Sequence, residues 1–554
     1  MNSVRKKVYS SSSIIFIVST LLITVIAFCH PHLNDNDSSG TSCGICSDAP
    51  PYPCDDIDQW ALDAIDIQDA WLITDGNSDI RVGIIDTGVW SQHEDLYDNL
   101  NTLYDHCYSP DFNTSMYDTT YVGHGTRVAG IIGASHNSFG IDGVCKRVSM
   151  TPYRVSKSNY LEDNVWYETA CAQSLGDAES VNIDLINFSG SNFYNCEDDF
   201  IDAFEEFDGL IVCAAGNADP ISNIPNDNDL NPAIGYPSSF PFDNIISVGA
   251  SDEDDLPASF SNYGQYSVDL FAPGTDIYST AQFDTYTNGS GTSYAAPLVT
   301  GTIALMKSVN PNLTNSQIKM ILMTTVDYIE DLSDLCVSGG RLNAFSAVKA
   351  SIPFLSLGAN SSIQPLGSLE HQFYKIVLSP GTYQFETTGS LFTSGYLYQD
   401  VRNNPVQSSN NTSGNCSLIY TTTTTQTLYL KIRNNGSSGG SYGIQISETN
   451  SHTHSYTSSY IWKNQTQHDA LCSCMDSTVQ PHAVFSTNPH LCVVCNGYAS
   501  MGFIVGPFSL PDTIGNDSIV TTNGVIVLGS ADYEALMDGS LTFEQLLNMG
   551  GNSL

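Results

Sequence analysis

Between Gln59 and about residue 350, short unbroken apolar runs alternate with segments whose apolar and small residues recur at helical spacing. Residues 81–85, 184–188, 210–214 and 245–248 read as strands, and 125–132 and 292–307 as helices. Strands that are apolar on both faces and separated by helices indicate an α/β domain over 58–350, with a mostly parallel sheet flanked by helices. The pattern then changes. Residues 373–378, 383–385, 395–398 and 429–432 alternate apolar and polar positions between Gly, Ser and Asn turns. That periodicity predicts an all-β sandwich over 355–449, in which the threonine run 421–425 is expected to be a strand. Residues 450–554 form a third, Cys/His-rich region with short helical patterns at 534–537 and 543–547. Residues 31–57 lack periodicity and read as an N-terminal arm or linker.

At 554 residues the chain exceeds one ordinary core, which agrees with several domains. Charge narrows the partners. There are 18 Lys plus Arg against 59 Asp plus Glu, a formal net charge of −41. Such a surface repels phosphates, so no nucleic acid partner is expected. The N-terminus has Arg5-Lys6-Lys7 followed by an apolar stretch over 14–28. A basic start before about fifteen apolar residues is a signal pattern, so 1–30 is read as a signal peptide or a signal anchor, the one expected membrane contact. The rest is expected outside the cell, secreted or held at the cell surface. Fifteen cysteines in an exported chain predict disulfides.

Three segments carry the candidate chemistry. Val82-Gly83-Ile84-Ile85-Asp86-Thr87-Gly88 ends an apolar strand on a carboxylate, where ligand sites of open α/β sheets lie. Gly123-His124-Gly125-Thr126 places an imidazole between glycines at a helix start. Gly291-Thr292-Ser293-Tyr294-Ala295-Ala296-Pro297 places a hydroxyl at the start of a helix of small residues, where free N–H groups and the helix dipole favour developing negative charge. A serine hydroxyl becomes a nucleophile when an imidazole takes its proton and a buried carboxylate holds that imidazole. Asp86, His124 and Ser293 supply one of each.

In order and approximate spacing these segments, with Val212-Cys213-Ala214-Ala215-Gly216-Asn217, resemble the subtilisin-like serine proteases over roughly 58–350. The sandwich resembles the small β domains C-terminal to many secreted bacterial peptidases. The resemblance implies an Asp86–His124–Ser293 triad working through an acyl-enzyme, with the Asn217 amide donating to the oxyanion. It implies a cleft walled by Ser189, Gly190 and Ser191 on one side and Ala214, Ala215 and Gly216 on the other. Gly235 would lie at the base of the first specificity pocket, giving a preference for large uncharged residues before the cleaved bond. The family usually carries Met where this chain has Tyr294. It also implies a calcium site, with Asp95 and Asn137 giving side-chain oxygens and Ser135, Phe139 and Ile141 carbonyls. In the third region, Cys472, Cys474, Cys492 and Cys495 have spacings that suit either a zinc site or two disulfides. Catalysis itself needs no cofactor. The arm over 31–57 is too short for the chaperone domain that many relatives carry. The expected protein is a monomeric endopeptidase acting on proteins or peptides. A dedicated processing protease and a non-catalytic binding or adhesion protein on the same fold are the alternatives.

Overall fold

The computed structural model describes residues 58–449, apart from 102–106, 109–122, 157–166, 192, 194–195, 220, 361–364 and 411–413. Beyond 449 it describes the backbone of the strands Tyr456–Asn464, Gln467–Cys472, Ser477–Pro481, Ser518–Thr521 and Gly524–Val527. The signal segment, the N-terminal arm, the helices expected at 534–537 and 543–547, and the side chains of Cys472, Cys474, Cys492 and Cys495 lie outside the described residues.

Ten strands form the first part: β1 Gly76–Asp86, β2 Arg147–Arg154, β3 Leu185–Phe188, β4 Leu210–Ala214, β5 Ile245–Ser251, β6 Leu270–Pro273, β7 Ile277–Ala281, β8 Thr285–Gly289, β9 Asp327–Tyr328 and β10 Gly340–Arg341. Eight of them make one sheet in the order β2-β1-β3-β4-β5-β6-β10-β9. Its neighbours pair parallel except β10 with β9, while β7 and β8 form a separate antiparallel hairpin. The longer helices are α1 His124–Gly133, α2 Glu168–Ser180, α3 Asp198–Glu206, α4 Thr292–Val309, α5 Asn315–Thr324 and α6 Ala344–Ser351. The apolar runs of β3, β4 and β5 are buried throughout, because helices cover both faces of the sheet. Helix α4 runs through the main core and is buried almost all round. Its Ala295, Ala296 and Ala304 let sheet and neighbouring helices close on it.

Chain order reverses at β1, which lies between β2 and β3. In open α/β sheets, ligands bind outside the carboxyl ends of strands at such a switch point. Asp86 is the last residue of β1, and Ser189 follows β3 directly.

The second part has β11 Gly358–Asn360, β12 His371–Leu378, β13 Gly381–Gly389, β14 Thr393–Tyr398, β15 Gln407–Ser409, β16 Ser417–Thr422, β17 Gln426–Asn434 and β18 Tyr442–Glu448. Two four-stranded antiparallel sheets, β11-β18-β13-β16 and β12-β17-β14-β15, enclose a separate core that includes Phe385, Leu397, Leu430 and Ile446. The threonine run differs from expectation. Thr421 and Thr422 end β16, but Thr423 to Thr425 make the turn into β17, with Thr422 Oγ1 accepting from the Thr424 N–H at 3.2 Å. Threonine hydroxyls satisfy turn backbone as readily as strands accept threonine.

The sandwich docks on the α/β part through Phe373, Val401 and Tyr429, which join its main core, and through Lys349–Asp400 at 2.7 Å and Arg147–Glu370 at 2.9 Å. Gln372 donates to the carbonyl of Val309, the last residue of α4, at 2.8 Å. At 1.5 Å per residue, 18 residues of helix put this contact about 27 Å from the opposite end of α4.

Candidate active site

The loop after β1 is stitched to the start of α1. The Gly125 N–H donates to Thr87 Oγ1 at 2.9 Å, and the Trp90 N–H to Thr126 Oγ1 at 3.0 Å. Gly125 is needed for this approach, since a Cβ there would lie 2.2 Å from the Gly88 carbonyl oxygen and 3.0 Å from the Cβ of Asp86. The result is an Asp86–His124 pair with Nδ1 to Oδ1 at 2.8 Å. The same carboxylate oxygen accepts the Thr87 N–H at 2.7 Å. Asp86 is wholly buried, and His124 and Ser293 are 8% and 9% exposed. With Nδ1–H directed at Asp86, Nε2 is the imidazole atom left to exchange a proton with a substrate-side group.

Ser293 stands in the first turn of α4, where N–H groups lack intrahelical acceptors. Its Oγ donates to the Ser189 carbonyl at 2.9 Å. Behind it runs a buried polar chain that the sequence reading missed. Thr300 Oγ1 donates to Asn187 Oδ1 at 2.8 Å, Asn187 Nδ2 to Ser189 Oγ at 2.8 Å, and Ser189 Oγ to the Ser293 carbonyl at 3.0 Å. The available signal was Asn187 inside an otherwise apolar strand, since a buried amide demands partners.

Asn217 follows the end of β4. Its Oδ1 accepts from the Thr292 N–H at 3.0 Å and from Thr292 Oγ1 at 3.2 Å. Both bonds use the oxygen and so direct Nδ2 away from Thr292. Ser191 and Gly216 face each other, for a Cβ on Gly216 would lie 3.5 Å from the Cβ of Ser191. Ser189, Gly190, Ala214 and Ala215 are buried beside them. The carbonyl of Ala215 accepts from Asn228 at 2.9 Å and Asn262 at 3.2 Å, contacts that the local sequence of neither amide predicts. Gly235 does not front open space on its side-chain side. A Cβ there would meet Ser239 Oγ and Asn228 Nδ2, so neutral polar groups, and not free room for a large side chain, adjoin Gly235.

The expected calcium residues converge around Asp95. Its Oδ2 accepts from the Ile141 N–H at 2.9 Å and the Tyr286 hydroxyl at 2.8 Å, and its Oδ1 from Asn137 Nδ2 at 2.9 Å. The Ser135 N–H bonds the Asp95 carbonyl at 2.7 Å, and the Phe139 N–H bonds Asn137 Oδ1 at 3.2 Å. Burial raises the Asp95 carboxyl above its usual pKa range, outweighing the bonds from Ile141, Asn137 and Tyr286. A buried carboxylate beside an amide suits a hard cation in residue type, although the partners of both Asp95 carboxylate oxygens here are hydrogen-bond donors. The Asn137 amide presents its nitrogen here, so accommodating an ion requires that amide to turn. In the acidic and amide stretch from Asn226 to Asp229, Asn226 and Asn228 are engaged in protein hydrogen bonds.

The expected disulfides are not formed by six of the described cysteines. Cys145, Cys171, Cys196, Cys213, Cys336 and Cys416 are free thiols. Burial pushes Cys145 up to about 12 and Cys416 to about 11, which leaves them unreactive. Among the described residues, no group of three or more His, Cys, Asp or Glu could hold a metal ion.

Comparison with known proteins agrees with this geometry. The Subtilase family matches residues 77–347. Subtilisin DY of Bacillus licheniformis is 32% identical over 256 residues, which is 46% of this chain and 86% of that protein. Thermitase of Thermoactinomyces vulgaris is 30% identical over 292 residues, 52% of this chain and 96% of that one. The minor extracellular protease Epr of Bacillus subtilis (strain 168) is 31% identical over 269 residues, and the match spans only 38% of its length. The chain belongs to the subtilase family, and its class is that of the serine-type endopeptidases.

Proposed function

We propose that this chain is an exported serine endopeptidase that cleaves protein or peptide substrates with Asp86, His124 and Ser293. The observation that carries the reading is the 2.8 Å Asp86–His124 bond at the sheet's switch point, beside a serine at a helix N-terminus. In the free protein the Ser293 hydroxyl rests on the Ser189 carbonyl. A substrate backbone N–H pairing with that carbonyl would release the hydroxyl toward Nε2 of His124, and such catalytic bonds commonly tighten only with substrate bound. Ser293 Oγ then attacks the scissile carbonyl carbon as His124 takes the proton, and Asp86 stabilises the imidazolium. Asn217 Nδ2 and the Ser293 N–H receive the oxyanion. His124 returns the proton to the leaving amine, and water hydrolyses the acyl-enzyme by the same route.

The neutral groups around Gly235, namely Asn228 and Ser239, favour an uncharged side chain before the cleaved bond. The basic and apolar N-terminal pattern, together with a relative described as extracellular, supports export. No helix among the described residues is long and apolar enough to cross a membrane. Calcium bound by Asp95 and a turned Asn137, with carbonyls of Ser135, Phe139 and Ile141, would tie two loops together and stabilise the fold. Release of soluble peptides from an unfolded protein substrate tests the function: the native chain should release them and Ser293→Ala should not.

A further inference from the structure

The residue after the nucleophile makes contacts that the mechanism above does not use. Tyr294 is 5% exposed, and its ring meets the His124 imidazole edge to face, with centroids 6.0 Å apart and planes at 71°. Its phenol oxygen accepts from Arg127 Nη1 at 3.1 Å. Arg127 stands three residues after His124 on α1, so one helix face presents both the imidazole and the group that anchors the ring against it. The other side of the ring lies over Gly289, at the end of β8. A Cβ there would come within 2.2 Å of the ring, so only glycine leaves the slot open. Arg127 is itself held in place, its carbonyl accepting from Ser279 Oγ at 2.6 Å.

We propose that Tyr294 is a positioning residue for His124, seated over Gly289 and tethered by Arg127. The proposal rests on the triad reading given above. Asp86 fixes one edge of the imidazole, and that bond by itself does not define the tilt of the ring. An aromatic edge-to-face contact at this distance sets that tilt. Nε2 is then kept aimed at the serine that precedes Tyr294. Because Tyr294 and Ser293 are adjacent on α4, one rigid helix sets both the nucleophile and the wall that aims its base. Among the described residues, charged groups that face the imidazole include Asp86 from β1 and, across the phenol, Arg127 from its own helix.

The test uses the full chain with Tyr294→Leu, Tyr294→Phe, Arg127→Met and the double variant Tyr294→Phe/Arg127→Met. Peptide hydrolysis and fluorophosphonate labelling are both measured on the alkaline plateau of the pH profile. There, a change in the imidazole's own titration from the lost Arg127 charge does not enter. Tyr294→Leu should lower kcat and the labelling rate about two- to twelvefold with KM unchanged, the range set by one aromatic contact. Tyr294→Phe keeps the ring and should lie between the native chain and Tyr294→Leu. Arg127→Met should match Tyr294→Phe, and the double variant should be no slower than either single one. Native kcat in folded Tyr294→Leu, an effect confined to KM, or additive losses in the double variant would overturn the proposal. If Tyr294→Leu does not fold, the comparison of Tyr294→Phe, Arg127→Met and their combination decides the matter. A native chain that neither hydrolyses nor labels refutes the protease reading itself; one that does both while the variants match it refutes only the positioning.

Discussion

Asp86 and His124, 38 positions apart in the chain, share a 2.8 Å hydrogen bond from Nδ1 to Oδ1 with the carboxylate wholly buried. That bond selects the tautomer with the proton on Nδ1. Asp86→Asn preserves the shape but can present an N–H in place of an acceptor, favouring the other tautomer. The expected result is a fall in kcat of about 10⁴-fold with little change in melting temperature. Steady-state hydrolysis of a chromogenic peptide checks it, and a loss below tenfold would remove Asp86 from the mechanism.

Asn217 offers its oxygen to Thr292 and keeps its amide nitrogen for another acceptor. Asn217→Leu should lower kcat by about 10²- to 10³-fold while KM stays within about twofold, because the donor acts on the oxyanion and not on the bound substrate. A change carried by KM instead would assign Asn217 to substrate binding.

Much of the candidate site was legible because each residue proposed for the triad ends or begins a regular element. Asp86 closes an apolar run, His124 opens a helix between glycines, and Ser293 opens a helix of small residues; all three sit at one rim of the sheet. What was not legible depends on contacts between distant segments. Nothing in the local sequence of Asn228 tells that its amide reaches Ala215, 13 positions away, beneath the cleft. Arg127 reads as a helix surface residue until Tyr294 arrives from a segment 167 positions later. The cysteine count pointed to disulfides because an exported chain favours them, whereas Cys145, Cys171, Cys213, Cys336 and Cys416 serve as buried apolar side chains of the cores. The threonine run misled because β propensity does not mark where a hairpin turns.

The junction between the two parts carries an acid sensitivity. His371 donates toward the Ile73 carbonyl at 3.2 Å, and its pKa is lowered to about 4, first by burial and then by Lys431 and Arg433 against the opposing pull of Asp75. The unfolded chain takes up this proton near pH 6.5 and the folded one only near 4, so the unfolded state binds more protons in that window. Stability should therefore fall as pH drops from 6.5 to 4, with up to about 3 kcal/mol due to this residue. His371→Gln should lose less stability than the native chain between pH 7 and 4.5 in urea unfolding. Equal losses would show that the imidazole titrates normally.

Asp95 offers a direct test of calcium. Excess calcium should raise the melting temperature of the native chain and a chelator should lower it, the stabilisation reaching about 2.7 kcal/mol at a hundredfold excess over the dissociation constant. Asp95→Asn should abolish the response. A native melting temperature indifferent to both additions would mean that the hydrogen bonds from Ile141, Asn137 and Tyr286 alone hold this loop.

The most direct test of the account is covalent labelling with a fluorophosphonate, which reacts with a serine only when a neighbouring base activates it. One equivalent of label is expected on the native chain, located by peptide mass at Ser293, with none on Ser293→Ala and a greatly slowed rate in His124→Ala. A folded native chain that takes up no label, or a Ser293→Ala variant labelled as fully as the native one, would contradict it.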